Sequence, residues 1–159
     1  MGSAIDPEFF DLYVYSVYKA IYEIAGEKTW SVVWRSGEIV FDKIKDEVLV
    51  PGDLFKSLEN LASFLKKSGY IADININRVS EDEIEYIMSE PVIARSKCRY
   101  FPPGGGAKRL IEEGMVPPHI STSLMFACLK YFGMRAEMVG EPVFLPDGRV
   151  VERWRVVKA

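Results

Sequence analysis

The apolar residues of this chain concentrate most heavily near its C-terminus, in Ile120 to Val157. From Leu124 to Phe132 only Lys130 is charged, and Met125, Phe126, Ala127, Cys128, Leu129 and Tyr131 leave no polar face. A helix that is apolar all round is covered on all sides. Ser121 or Thr122 can cap its start and Gly133 can close it. It is too short to span a bilayer, so other parts of the fold must wall it in. The residues that follow read as two strands joined at the Pro146-Asp147-Gly148 turn. The pattern predicts a central helix laid on a sheet, with the N-terminal third of the chain as its second cover.

Upstream, Phe9 to Ala25 reads as a helix with a wide apolar face and a narrow polar stripe of Asp11, Ser16, Lys19 and Glu23, stopped at Gly26. Its tyrosines, Tyr13, Tyr15, Tyr18 and Tyr22, suit a subunit interface or a pocket wall as well as an ordinary core. Thr29 to Ser36 reads as a short helix broken by Gly37, and Ile39 to Val50 as a second one ended by Pro51-Gly52. Asp53 caps an amphipathic helix with Leu54, Leu58, Leu61 and Leu65 inward and Gly69 at its end. Ala72 to Val79 alternates apolar and polar, and Ile84 to Met88 returns as its partner strand, with Pro91 to Ala94 as an extension of the sheet. Leu54–Met88 and Ile120–Val157 thus share one order: helix, glycine, strand, turn, strand. The prediction is an α+β fold, an antiparallel sheet of about four to five strands packed against helices, with two helix-hairpin units and N-terminal helices over the central one. Residues 9–159 form one domain. Residues 1–8 have the small-residue character of an expression-tag scar and carry no functional argument, although Asp6 and Pro7 can cap the first helix.

Composition narrows the function classes. The hydrophobic share is 48% and the aromatic share 13%, enough for a core and an aromatic-lined cavity or interface. A net charge of -3 makes no case for nucleic acid. Cys98 and Cys128 form no disulfide framework and fit reduced thiols in a cytoplasmic setting. No membrane span is expected.

The candidate chemistry lies mostly in the irregular stretch 95–118. Pro103-Gly104-Gly105-Gly106-Ala107-Lys108-Arg109 precedes a short helix, and it is either an anion cradle or a flexible linker with two solvated bases. It does not match the phosphate-binding P-loop. Arg95, Lys97, Arg99, Lys108 and Arg109 make a basic cluster that suits an acidic headgroup or guards a strand edge. Cys98 among these cations is either a reactive thiolate or a small filler. His119, the single histidine, either caps the central helix or serves as a base; with two cysteines it gives no ligand-spaced metal cluster, so neither metal nor cofactor is expected. No paired carboxylates stand out, and no catalytic residue is assigned.

The order of these elements, with "LENLASFLKKSGYIADININ", "IEYIMSEPVIARS" and "SLMFACLKYFGMRAEMVGEPVFLPDGRVVERWRV", resembles the 4-vinyl reductase, or hydrocarbon-binding, domain family. That family is structurally related to subunits of the transport-protein-particle (TRAPP) tethering complex. The likeness covers about residues 9–157 and rests on Gly26, Gly37, Gly69 and Gly133, the two helix-hairpin units and Ser89-Glu90. It implies an α+β domain that dimerises through its helices and a mainly apolar cavity for a small hydrophobic ligand in a sensory or regulatory protein. Two departures stand out. Many members carry cysteines before the last helix and in the last hairpin, where this chain has His119 and nothing after Cys128; the tethering relatives' early acylated cysteine has no counterpart between Phe9 and Lys97.

The leading expectation is therefore a non-catalytic domain that binds a small hydrophobic molecule, dimeric through its N-terminal aromatic helix. Its cavity would be lined by Trp30, Trp34, Phe55, Phe64, Phe126 and Tyr131, with Arg95, Arg99, Lys108 and Arg109 toward an acidic headgroup. The alternatives are a structural adaptor that dimerises without a ligand and, last, a reductase or thiol enzyme using Cys98 with His119.

Overall fold

The structure, a computed structural model, describes residues 4–159; Met1 to Ser3 of the presumed tag lie outside the described residues. Helix α1 spans Pro7–Ala25, a 3-10 turn Gly26–Lys28 follows, and α2 spans Thr29–Val48. Then come α3 (Leu54–Lys67), β1 (Asp73–Arg78), β2 (Glu83–Ser89), α4 (Gly105–Glu112), α5 (Ile120–Tyr131), β3 (Met134–Met138), β4 (Val143–Phe144) and β5 (Arg149–Lys158).

The strands form one antiparallel sheet in the order β1-β2-β5-β3, with β4 also on β5. The last strand in the chain is thus central. It pairs with β2 from Ser89↔Arg149 to Glu83↔Arg155 and, on its other side, with β3 from Met138↔Trp154 to Met134↔Lys158. Alternation puts Ile84, Tyr86 and Met88 inward from β2 and Val150, Glu152 and Trp154 inward from β5. Helix α5 lies between this face and α2. Met125, Cys128 and Leu129 have no exposed surface, and Phe126 meets Trp154 of β5 edge-on while stacking on Trp34 of α2. The central helix is walled in as its composition requires.

Caps set the helix ends where expected in two cases. The Asp6 carboxylate accepts from the Glu8 N–H at 3.0 Å, with Pro7 at the first helical position, and the Asp53 carboxylate accepts from the Lys56 N–H at 3.0 Å.

Several expectations are corrected. Gly37 does not break a helix: α2 runs unbroken through it. Gly37 is buried where α2 crosses α5, and a Cβ there would stand 2.6 Å from the Ser123 Cβ, so the residue allows close helix approach instead of ending an element. Neither Ser121 nor Thr122 caps α5. The helix begins at Ile120 with His119 in the N-cap position, and both hydroxyls are buried one turn in. Residues 91–94 do not extend the sheet but turn, with Ile93 at φ 71°. The first strand of the C-terminal hairpin is two pieces, β3 and β4, because Gly140-Glu141-Pro142 interrupts the pairing and proline has no N–H to give a ladder. The glycine run is not a flexible linker. Gly104, Gly105 and Gly106 are buried, and α4 seats against the 91–94 turn through an Ala107 N–H to Ile93 carbonyl bond of 3.0 Å. Any side chain at Gly105 would collide with that same Ile93 carbonyl.

Helix α1 departs from its sequence pattern in part: Val14, Tyr15 and Tyr18 pack on the core and Ser16 and Glu23 are exposed, as expected. Its polar Asp11 is its one buried residue, while Phe9, Phe10, Tyr13, Val17 and Ile24 are exposed. Asp11 meets Arg95 at 3.1 Å, which ties α1 to the loop after β2.

Candidate functional site

A row of rings runs along the junction of α2, α5 and the residue before α5. Trp30 and Trp34, one turn apart on α2, stack at 5.8 Å between centroids. The His119 ring stacks on both, at 5.6 Å from Trp30 and 5.9 Å from Trp34, and Trp34 stacks on Phe126 at 5.1 Å. Interplanar angles of 15–20° make the row a ladder of nearly parallel rings.

Two clefts open along this ladder. One, of about 480 Å³, is bounded by Trp34 and Phe126, by Ala127 of α5, and by Met134, Ala136 and Met138 of β3. The other, of about 320 Å³, is bounded by Trp30, His119, Met115, Met138 and the Gly140–Pro142 segment. Met138 lines both, so the two clefts adjoin at its side chain, and side by side they make up a mostly apolar groove. The rings face one another, so the groove meets their edges more than their faces. Ala127, Ala136 and the three methionines, Met115, Met134 and Met138, supply aliphatic, adaptable walls.

His119 is held by a buried polar cluster on its far side. Its Nδ1 lies 3.1 Å from Glu152 Oε2. The other carboxylate oxygen accepts from the Thr122 hydroxyl at 2.5 Å and from the Trp154 indole N–H at 3.2 Å. Beside the cluster, Ser121 donates to the Met88 sulfur at 3.0 Å. Glu152 is 3% exposed, so its charge depends on these donors for the solvation it has lost. Among the described residues, Glu152 is the only hydrogen-bond partner of the His119 ring. A second, small cavity of about 50 Å³ lies beside the pair, between Thr122, Met88, Ile93 and Val150. His119 has φ 42° and ψ 41°, a left-handed conformation reached directly after Pro117-Pro118. For a non-glycine residue that conformation costs on the order of 1 kcal/mol or more, here offset by the ring stacking and the Glu152 bond.

The predicted site residues divide. Trp30, Trp34 and Phe126 come together in the groove. Phe55 sits half-exposed under the Arg78 guanidinium, 5.1 Å from its ring centroid. Phe64 packs on the core near Val48 and Asn60, and Tyr131 is exposed at the end of α5. None of the four bases lines either cleft. Arg95 pairs with Asp11, Arg99 with Asp6 at 2.6 Å and with Glu8, and Arg109 with Glu113 at 3.0 Å; Lys108 is exposed on α4. Cys98 sits in the loop, bridged to Phe101, and shares no contact with His119. Among the described residues no group of three or more His, Cys, Asp or Glu side chains could hold a metal ion, and no helix is long and apolar enough to cross a membrane.

Glu152 and Thr122 are the functional residues that pattern reading missed. The signal was there for Glu152: in Val150-Val151-Glu152-Arg153-Trp154 it falls on the inward register, where an acid needs a partner.

No family model matches this chain, and no curated protein does. Solved structures do. A trafficking protein particle complex subunit 3 from Naegleria fowleri, covalently bound to palmitic acid, superposes with a TM-score of 0.63 at 15% identity, over 97% of this chain and 96% of that one. An Fe(II) unliganded H-NOX protein mutant from K. algicida gives 0.48 at 16% identity, over 89% and 70%. The chain thus has an α+β fold similar to that of the trafficking-complex subunit across nearly the whole length of both.

Proposed function

We propose that this protein is a non-catalytic domain of the 4-vinyl reductase kind that holds a small aliphatic molecule in the groove along the aromatic ladder. The observation that carries this is the pair of clefts that adjoin at Met138, bounded by Trp30, Trp34, Phe126 and aliphatic side chains. Such a mostly apolar hollow with few polar groups is the usual form of a small-molecule site. A chain-like ligand suits it better than a flat one, since ring faces are already occupied by one another. The palmitic acid on the fold neighbour supports a lipid-like guest. No cysteine lines the groove here, so the ligand is held without a covalent bond.

The domain works as a homodimer. Phe9, Phe10, Tyr13, Val17 and Ile24 of α1 and Val32, Ile39 and Val40 of α2 are exposed on the two N-terminal helices. That is more apolar surface than single scattered side chains account for, and it suits a self-complementary interface. The test is extraction of the purified protein under denaturing conditions with mass spectrometry of the released molecules, together with titration of 1-decanol followed by tryptophan fluorescence. Ala127→Trp fills the larger cleft and abolishes binding. A dimer with no extracted molecule and no response to decanol makes the chain an adaptor instead.

A further inference from the structure

We infer that the groove selects its guest by a head group that donates a hydrogen bond and carries no negative charge, namely the hydroxyl of an aliphatic alcohol, and that His119 Nε2 is the atom that receives it. This rests on the groove reading above.

The chemistry follows from what surrounds the histidine. Trp154 Nε1 can only donate, and the Thr122 hydroxyl donates beside it, so both bonds treat Glu152 as an acceptor. Those two bonds fall on Oε1; as a carboxylate, Glu152 also accepts through Oε2, from the proton-bearing Nδ1 of His119 at 3.1 Å. The bond made by one ring nitrogen sets the role of the other. In the neutral ring Nε2 is left as a lone pair, with no protein donor among the described residues. His119 lines the smaller cleft, which Glu152 does not. That cleft carries one acid, Glu141, and neither Lys nor Arg. A carboxylate head in this cleft would meet an acceptor nitrogen and Glu141 with no cation beside them; the bases of the larger cleft, Lys130 and Arg135, lie at the other end and pair with Glu38 at 3.1 Å and Glu137 at 3.3 Å. The bases that could have served it, Arg95, Arg99 and Arg109, are engaged with Asp11, Asp6, Glu8 and Glu113 elsewhere. A hydroxyl donates to Nε2 while its chain runs past Met138 into the larger cleft. Glu152 is a positioning residue, acting through the histidine.

The test compares three probes of one chain length on the intact protein: 1-decanol, its methyl ether, which cannot donate, and decanoate. In the wild type decanol binds about tenfold more tightly than the ether, the worth of one hydrogen bond to an acceptor that the bound guest covers, and decanoate binds more weakly than decanol. Glu152→Gln keeps the shape, and its amide can accept from Thr122 and Trp154 while its NH2 donates to Nδ1. The ring proton then moves to Nε2, which now donates, and the alcohol-to-ether ratio falls toward one. A merely structural role for Glu152 would weaken both probes together and leave the ratio unchanged, which would overturn the inference. So would a wild-type protein that binds the ether or decanoate as tightly as decanol; the groove would then stand without its head-group selectivity. Failure of all three probes to bind removes the groove reading and this inference with it.

Discussion

Gly37 and Ser123 touch backbone to backbone where α2 crosses α5: a Cβ on Gly37 would stand 2.6 Å from both the carbonyl carbon and the Cβ of Ser123. The close approach lets Trp34 of α2, one turn earlier, stack on Phe126 of α5, one turn later. Gly37→Ala ought to gain stability from helix propensity, as at an exposed site, but overpacking wins here. The variant is expected to lose about 2 kcal/mol in urea unfolding and to open the ladder, with a red shift in tryptophan emission.

Removing the buried acid is costly in a different way. Glu152→Ala leaves the Thr122 hydroxyl, the Trp154 indole and the His119 ring without their shared acceptor. The expected loss is about 3 kcal/mol, measured by urea unfolding, against a much smaller loss for Glu152→Gln.

Asp11 gives the stability a pH dependence of unusual sign. Burial pushes its carboxyl above the ordinary aspartate value of 3.8, opposed by the Ile93 backbone and the Arg95 guanidinium. The folded state therefore holds this proton more tightly than the unfolded chain does. The Asp11 contribution to stability falls as pH rises from 3.8 through the raised folded value. Asp42, Asp73 and Asp147, whose carboxyls are held low by Lys45, Lys66 and the Arg149 backbone, act in the opposite direction. The measurement is thus a difference: wild type minus Asp11→Asn, in unfolding experiments from pH 4 to 7, declines with pH. A flat difference would contradict the assignment.

The two thiols should separate cleanly. Cys128 has no exposed surface, and burial pushes its thiol up to about 12. Cys98 is partly exposed in the loop. An aromatic disulfide reagent at pH 8 is expected to label one thiol per native chain, lost in Cys98→Ser, and both after denaturation.

The outward face of α1 predicts its own outcome. Phe9 and Tyr13, 53% and 59% exposed, are one turn apart. If the proposed dimer forms through this face, Phe9→Glu with Tyr13→Glu is expected to sediment as a monomer where the wild type sediments as a dimer, while the thermal transition of the fold survives, since neither side chain is part of the core; a wild type that is already monomeric overturns the dimer proposal.

Periodicity carried the sheet and the central helix because there it coincided with burial. Ile84, Tyr86 and Met88 alternate as a half-covered strand must, and the apolar run 124–129 has no solvent face to spare. It failed where sterics or long-range pairing overruled local preference. Gly37 reads as a breaker unless Ser123, far along the chain, is known to press on it. The run at 104–106 reads as loose chain unless the Ile93 carbonyl is placed against Gly105. Asp11 looked like part of a wet stripe because its partner, Arg95, is distant in sequence. The aromatic part of the groove was legible in Trp30, Trp34 and Phe126, all large apolar side chains on helices that had to meet. The polar part was not. His119 pairs with an acid on β5, beyond α5, β3 and β4 in the chain, and no local spacing announces that.

The position of β5 has a consequence for how the chain is made. Its residues join β2 on one side and β3 and β4 on the other, so the strand that binds the sheet together is synthesised after the four strands it joins. Until residue 158 emerges, the β1–β2 hairpin and β3 each offer an open edge, and the Glu152 acceptor for His119 does not yet exist. A nascent chain stalled before Arg149 should be trapped by chaperones and sensitive to protease, and release of ten further residues should close the molecule in one step.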